Sequence, residues 1–114
     1  MVDALWSIRL RVNNYQLPTG GVLLLATNNV LGGDSWSTFV GNYAIERNKF
    51  RVRVHVKQYE PLPPAMAAKA GPSDYIGIFS GELNSSVMTL DGHVESRPFI
   101  KMRIILTRRA ELSS

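Results

Sequence analysis

The chain has 114 residues, 45% of them hydrophobic and 19% charged, with no cysteine and a formal net charge of +4. This length gives one domain (1–114) with a real core, and the composition excludes a disordered tail. Without cysteine, a disulfide scaffold and a thiolate metal site are excluded, and a reducing compartment is favoured.

Met1 to Trp6 contains no basic segment followed by an apolar run, so no secretion signal is expected. The longest apolar run, Val22 to Ala26, is far short of the roughly 20 residues a membrane span needs. The expectation is a soluble cytoplasmic protein with no membrane partner.

Along the chain the dominant period is two, the signature of strands with a buried and a wet face. Ala4, Trp6, Ile8, Leu10 and Val12 alternate with Leu5, Ser7, Arg9, Arg11 and Asn13. Residues 15–21 (Tyr15-Gln16-Leu17-Pro18-Thr19-Gly20-Gly21) read as a turn, and Gly21 to Thr27 as a strand that is apolar on both faces from Val22 to Leu25. Asn28-Asn29 is a hairpin-turn candidate, because Asn tolerates positive φ. Val30-Leu31 then runs into Gly32-Gly33-Asp34, where the glycines suggest a bulge or bend.

Ser35 to Ile45 predicts the next strand, Glu46-Arg47-Asn48-Lys49 its tip, and Phe50 to Tyr59 the return. On that return Phe50, Val52, Val54 and Val56 face one way, while Arg51, Arg53, His55 and Lys57 face the other. Pro61, Pro63, Pro64 and Pro72 bracket Ala65 to Ala70, which with Gly71 just beyond predicts one or two helical turns. Strands resume at Tyr75 to Leu83, at Val87 to Leu90 with an extension to Val94, and at Phe99 to Leu106. Asn84-Ser85-Ser86 and Ser96-Arg97-Pro98 supply the turns, and the tail from Thr107 is expected to fray.

About eight short strands joined by tight turns imply an all-β, up-and-down antiparallel eight-stranded barrel with one short helix, since closure hides the edge strands. The alternative is a strongly twisted open sheet covered by the helical turn or a second subunit. Trp6, Ile8, Leu10, Val52, Val54, Val56, Ile100, Met102, Ile104 and Leu106 form the inward set. They are either a packed core or the lining of a dry cavity suited to a small apolar ligand.

Catalytic chemistry finds little support. His55 and His93 are the two histidines, on different elements, and neither falls in a readable triad or metal spacing. Asp34 reads as a turn cap. The expectation is a non-enzyme without metal or cofactor. Arg47, Lys49, Arg51, Arg53, His55 and Lys57 are all odd-numbered and would share one strand face, a ladder that could track phosphates. Only Tyr59 continues the row with an aromatic ring, so a solvated outer face is preferred over a nucleic-acid surface.

Trp6-Ser7-Ile8, Gly20-Gly21-Val22, Gly32-Gly33-Asp34, Phe39-Val40-Gly41 and Val54-His55-Val56-Lys57, in that order, resemble the GrlR family of bacterial regulatory proteins. The likeness covers roughly residues 4–60 and runs more loosely to Leu106. It implies a lipocalin-like (calycin-like) barrel, a homodimer, and regulation by binding a transcriptional activator rather than catalysis. The family's acidic cluster at the hairpin tip is replaced here by Glu46-Arg47-Asn48-Lys49, so no partner-binding residues carry over. Three functions are expected in order: a regulatory protein-binding module, a carrier of a small apolar ligand, and a nucleic-acid binder.

Overall fold

A computed structural model describes residues 2–18 and 20–112. The period-two alternation folds as strands β1 (Ala4–Val12), β2 (Tyr15–Gln16), β3 (Gly21–Ala26), β4 (Asn29–Gly33), β5 (Ser37–Glu46), β6 (Lys49–Gln58), β7 (Asp74–Glu82), β8 (Val87–Val94) and β9 (Arg97–Glu111). One four-residue helix, α1 (Pro64–Ala67), joins β6 to β7. Each strand from β3 to β9 pairs antiparallel with the next, and β1 pairs with both β3 and β9. The result is a closed eight-stranded, lipocalin-like up-and-down barrel, with β2 as an extra strand on β1. Closure decides between the two expected architectures. The β1–β9 seam runs from Ala4↔Glu111 to Val12↔Met102 and leaves no open edge among the eight.

Inside, Trp6, Leu25, Phe50, Met88, Leu90 and Leu106 are fully buried. Of the predicted inward set, Trp6, Ile8, Val52, Val54, Val56, Met102, Ile104 and Leu106 are buried, while Leu10 and Ile100 are partly buried against them. Tyr43 stacks on Phe50 at 5.2 Å between ring centroids. Among the described residues no helix is long and apolar enough to cross a membrane.

Several boundaries move for identifiable reasons. Tyr15-Gln16 belongs to a two-residue strand opposite Arg11 and Val12, so the turn expected at 15–21 begins earlier, at Asn13 (φ 52°); Thr19 lies outside the described residues. The next hairpin turns at Thr27-Asn28 (φ 48° and 69°), and Asn29 is already paired with Ala26. Two consecutive positive φ values make the two-residue turn whose twist matches the flanking strands. Gly32-Gly33 forms no bulge, since both stay in unbroken register with β3 and β5. Gly32 permits close strand approach instead, because a Cβ there would lie 2.1 Å from the Val22 carbonyl oxygen.

Ser35 and Trp36 form a bend, not the start of β5. The turn after β8 falls at Glu95-Ser96, with Arg97 already paired to Val94. The largest correction concerns the tail: Thr107 to Glu111 is strand, paired with Ala4 to Ser7. An unclosed β1 edge offers this segment its hydrogen bonds, which outweighs its polar composition. Ser113 and Ser114 lie outside the described residues.

The proline-bracketed segment closes one end of the barrel. Met66 and Ala70 are buried and Leu62 packs against the core, while the amides of Met66, Ala67, Lys69 and Ala70 bond to carbonyls within the segment itself. Gly71 has φ 86°, a left-handed conformation that glycine accepts without a Cβ penalty.

Candidate functional site

The barrel interior is nearly full. A void of about 30 Å³ lies between Ile8, Val52, Val54, Phe79 and Ile104, room for about one water, whereas ligand sites run to roughly 300–1,000 Å³. A second void of about 30 Å³ lies beneath Leu62, Ala70 and Pro72. Tyr75 reaches between the two, and burial, with the nearby Asp34 charge, pushes its phenol well above the ordinary tyrosine range.

Outside, the strand register neutralises the basic ladder. Arg53 grips Glu95 with two hydrogen bonds of 3.1 and 3.2 Å, and Arg51 lies 3.7 Å from Glu46. His55 Nε2 meets Asp74 Oδ1 at 2.6 Å. Lys57 faces Asp74 in the ladder, and Lys49 faces Glu46 and Glu82. Arg47 occupies the tip with φ 58°. The ladder is therefore one face, as its odd numbering predicts, but a face of mixed charge. Apart from Glu46, which ends β5, the acids come from β7 and from the β8–β9 turn, so sequence spacing within β6 could not reveal them.

The uncompensated positive charge gathers elsewhere, on the β1–β9 seam. Arg11 stands directly opposite Arg103, and Arg9 opposite Ile105. Lys101 lies beside Asn13, whose side chain accepts its amide at 3.0 Å. Arg109, in the register shift near Leu5 and Trp6, donates to Ser7 Oγ at 2.8 Å. Asp91 is the acid paired to this group: Arg103 Nε donates to it at 2.7 Å and holds its carboxyl below the usual range.

On the opposite side of β1 lies a panel without charge. The outward positions of β3 are Val22, Leu24 and Ala26, those of β4 Asn29, Leu31 and Gly33, and β5 continues with Thr38, Val40 and Asn42. The register sets Leu5, Leu24, Leu31 and Val40 in one row across four strands. Val22, Leu31 and Val40 are 48%, 50% and 52% exposed. Such a contiguous row on an outer face is distinct from the isolated exposed apolar residues that are ordinary on protein surfaces. The signal in the sequence was the run Val22 to Leu25, apolar on both faces.

The remaining polar residues have structural roles. Asp34 Oδ1 accepts the amides of Trp36 and Ser37 at 2.8 and 2.7 Å, the expected turn cap. His93 lies mid-strand between Ile78 and Lys101. Among the described residues no three of His, Asp and Glu gather where they could hold a metal ion. No protein-family model matches the chain, and no curated protein matches it in sequence.

Proposed function

We propose that this chain is a non-enzymatic regulatory binding protein of the GrlR type, bacterial and cytoplasmic, acting as a homodimer that restrains a partner protein by direct contact. The reading is supported by one observation above the others: the charge-free row Leu5, Leu24, Leu31 and Val40 on the outside of a barrel whose inside is packed. Two copies of a chain with net charge +4 repel, and this panel is a face on which they meet without opposed charges. A two-fold axis through it makes the contact self-complementary. Carriage of an apolar ligand has little room in a 30 Å³ void, and nucleic-acid binding by the β6 ladder works against its paired carboxylates.

Light scattering at micromolar concentration tests the panel. The wild-type chain gives a dimer mass, and Leu31→Lys with Val40→Lys gives a monomer that still melts cooperatively. A wild-type monomer overturns the dimer. Native mass spectrometry of protein purified gently from its host tests the regulatory reading, which expects a second polypeptide; a small bound molecule in its place overturns it.

A further inference from the structure

The net positive charge of the chain is not spread over the barrel. The β6 ladder meets Glu46, Asp74, Glu82 and Glu95, whereas the β1–β9 seam carries Arg9, Arg11, Lys101, Arg103 and Arg109, with Asp91 of β8 beside Arg103 and Glu111 beside Arg108. Arg11 and Arg103 face each other directly, a pairing that costs stability in an isolated sheet. Ile105 lies among them, 37% exposed, opposite Arg9 on one side and Thr89 on the other. Between Arg11, Asn13, Asp91 and Lys101 the surface dips into an open depression of about 300 Å³.

From this juxtaposition we infer that the β1–β9 seam is the docking face for an acidic, partly apolar segment of a second protein. Carboxylates of that segment relieve the Arg11–Arg103 repulsion and reach Arg9 and Lys101, and an apolar side chain covers Ile105. Arginine suits this role, since its planar fork binds carboxylates bidentately and it is enriched at interfaces. Nucleic acid fits less well: among the outward positions of β1 and β9 one ring is well exposed, Phe99 at 75%, two residues before Lys101, whereas single-strand surfaces stack successive bases on several rings. The inference names the chemistry of the regulatory partner proposed above and rests on that reading. It does not depend on the apolar panel.

The probe is a fluorescein-labelled oligoglutamate peptide with one central leucine, read by fluorescence anisotropy against the full chain. The wild-type chain binds it, with affinity falling as salt rises. Arg11→Glu with Lys101→Glu weakens binding by at least about tenfold, because charge reversal at a steering face acts on association directly. Arg51→Glu with Arg53→Glu, which disturbs the neutralised ladder, changes it by less than about threefold. The panel variant Leu31→Lys with Val40→Lys binds the peptide as the wild type does, so a failed dimer and a failed seam are told apart. The inference is overturned by three results: no binding to the peptide, equal loss in the two charge-reversal variants, or a DNA or RNA duplex binding more tightly than the peptide at equal salt.

Discussion

The indole N–H of Trp6 donates to the carbonyl oxygen of Val2 at 2.8 Å, across four residues, and neither residue is accessible beyond 4%. The Arg108 guanidinium lies 5.7 Å above the same ring. One side chain thus ties the entry of β1 to the far end of β9. Trp6→Phe keeps most of the apolar bulk but orphans the Val2 carbonyl and leaves part of the indole volume empty. Urea denaturation is expected to show a loss of about 1–3 kcal/mol with an unchanged m-value.

Asp3 performs a similar anchoring at the surface. Its carboxylate accepts the Tyr43 hydroxyl and, at 3.0 Å, the Thr27 amide, and these bonds hold its pKa below the ordinary 3.8. A carboxyl whose folded pKa is depressed contributes stability above its unfolded pKa and loses it as pH falls through the folded one. The stability gap between wild type and Asp3→Asn should therefore be constant from neutral pH down to about 5 and shrink toward about pH 2. A gap that stays constant on acidification removes this role for Asp3.

At the alkaline end the sign reverses. Burial raises the Tyr75 phenol above its ordinary value of 10.0, so the folded chain keeps a proton that the unfolded chain releases. Stability then falls as pH climbs past about 10. Tyr75→Phe removes that release, and its melting temperature should decline less steeply between about pH 9.5 and about pH 11 than that of the wild type.

Gly32 is a packing position, and its test is steric. An added methyl group would meet the Val22 carbonyl oxygen at 2.1 Å and the Leu23 side chain at 2.8 Å. Gly32→Ala should cost about 1–3 kcal/mol by thermal or urea unfolding, the range expected for overpacking. A neutral result would mean that β3 and β4 can separate without loss.

The interior predicts its own silence. With voids of about 30 Å³ each, the wild-type barrel should not bind an apolar probe such as benzene or xenon. Met88→Ala, at a fully buried position, should open a dry cavity that does, at a cost of about 2–5 kcal/mol. Isothermal titration of the two proteins separates a filled core from a hidden ligand site.

How much of this was legible beforehand depends on the range of the interaction. The alternation of Phe50, Val52, Val54 and Val56 with Arg51, Arg53, His55 and Lys57 is local, and it fixed the faces of β6 correctly. Closure followed from the cost of exposed edges. The turn at Thr27-Asn28 was displaced by one residue because the sequence favours Asn at either position, and only the pairing of Ala26 with Asn29 sets the register. The neutralisation of the ladder and the concentration of charge on the seam depend on which strands become neighbours. Arg11 and Arg103 are far apart in the chain and adjacent in the sheet.

That adjacency also sets the order of events during synthesis. β1 leaves the ribosome before the other eight strands, and its seam partner, from Met102 to Glu111, belongs to the last of them. Until β9 arrives, both β1 and β8 present unpaired backbone along their length, next to the apolar row of β3 to β5. The nascent chain is thus most prone to aggregate in the interval before closure, when local hairpins can already form and the long-range seam cannot. A stop codon before Thr107 would leave Ala4 to Ser7 without partners on this side, a short open edge able to recruit another strand.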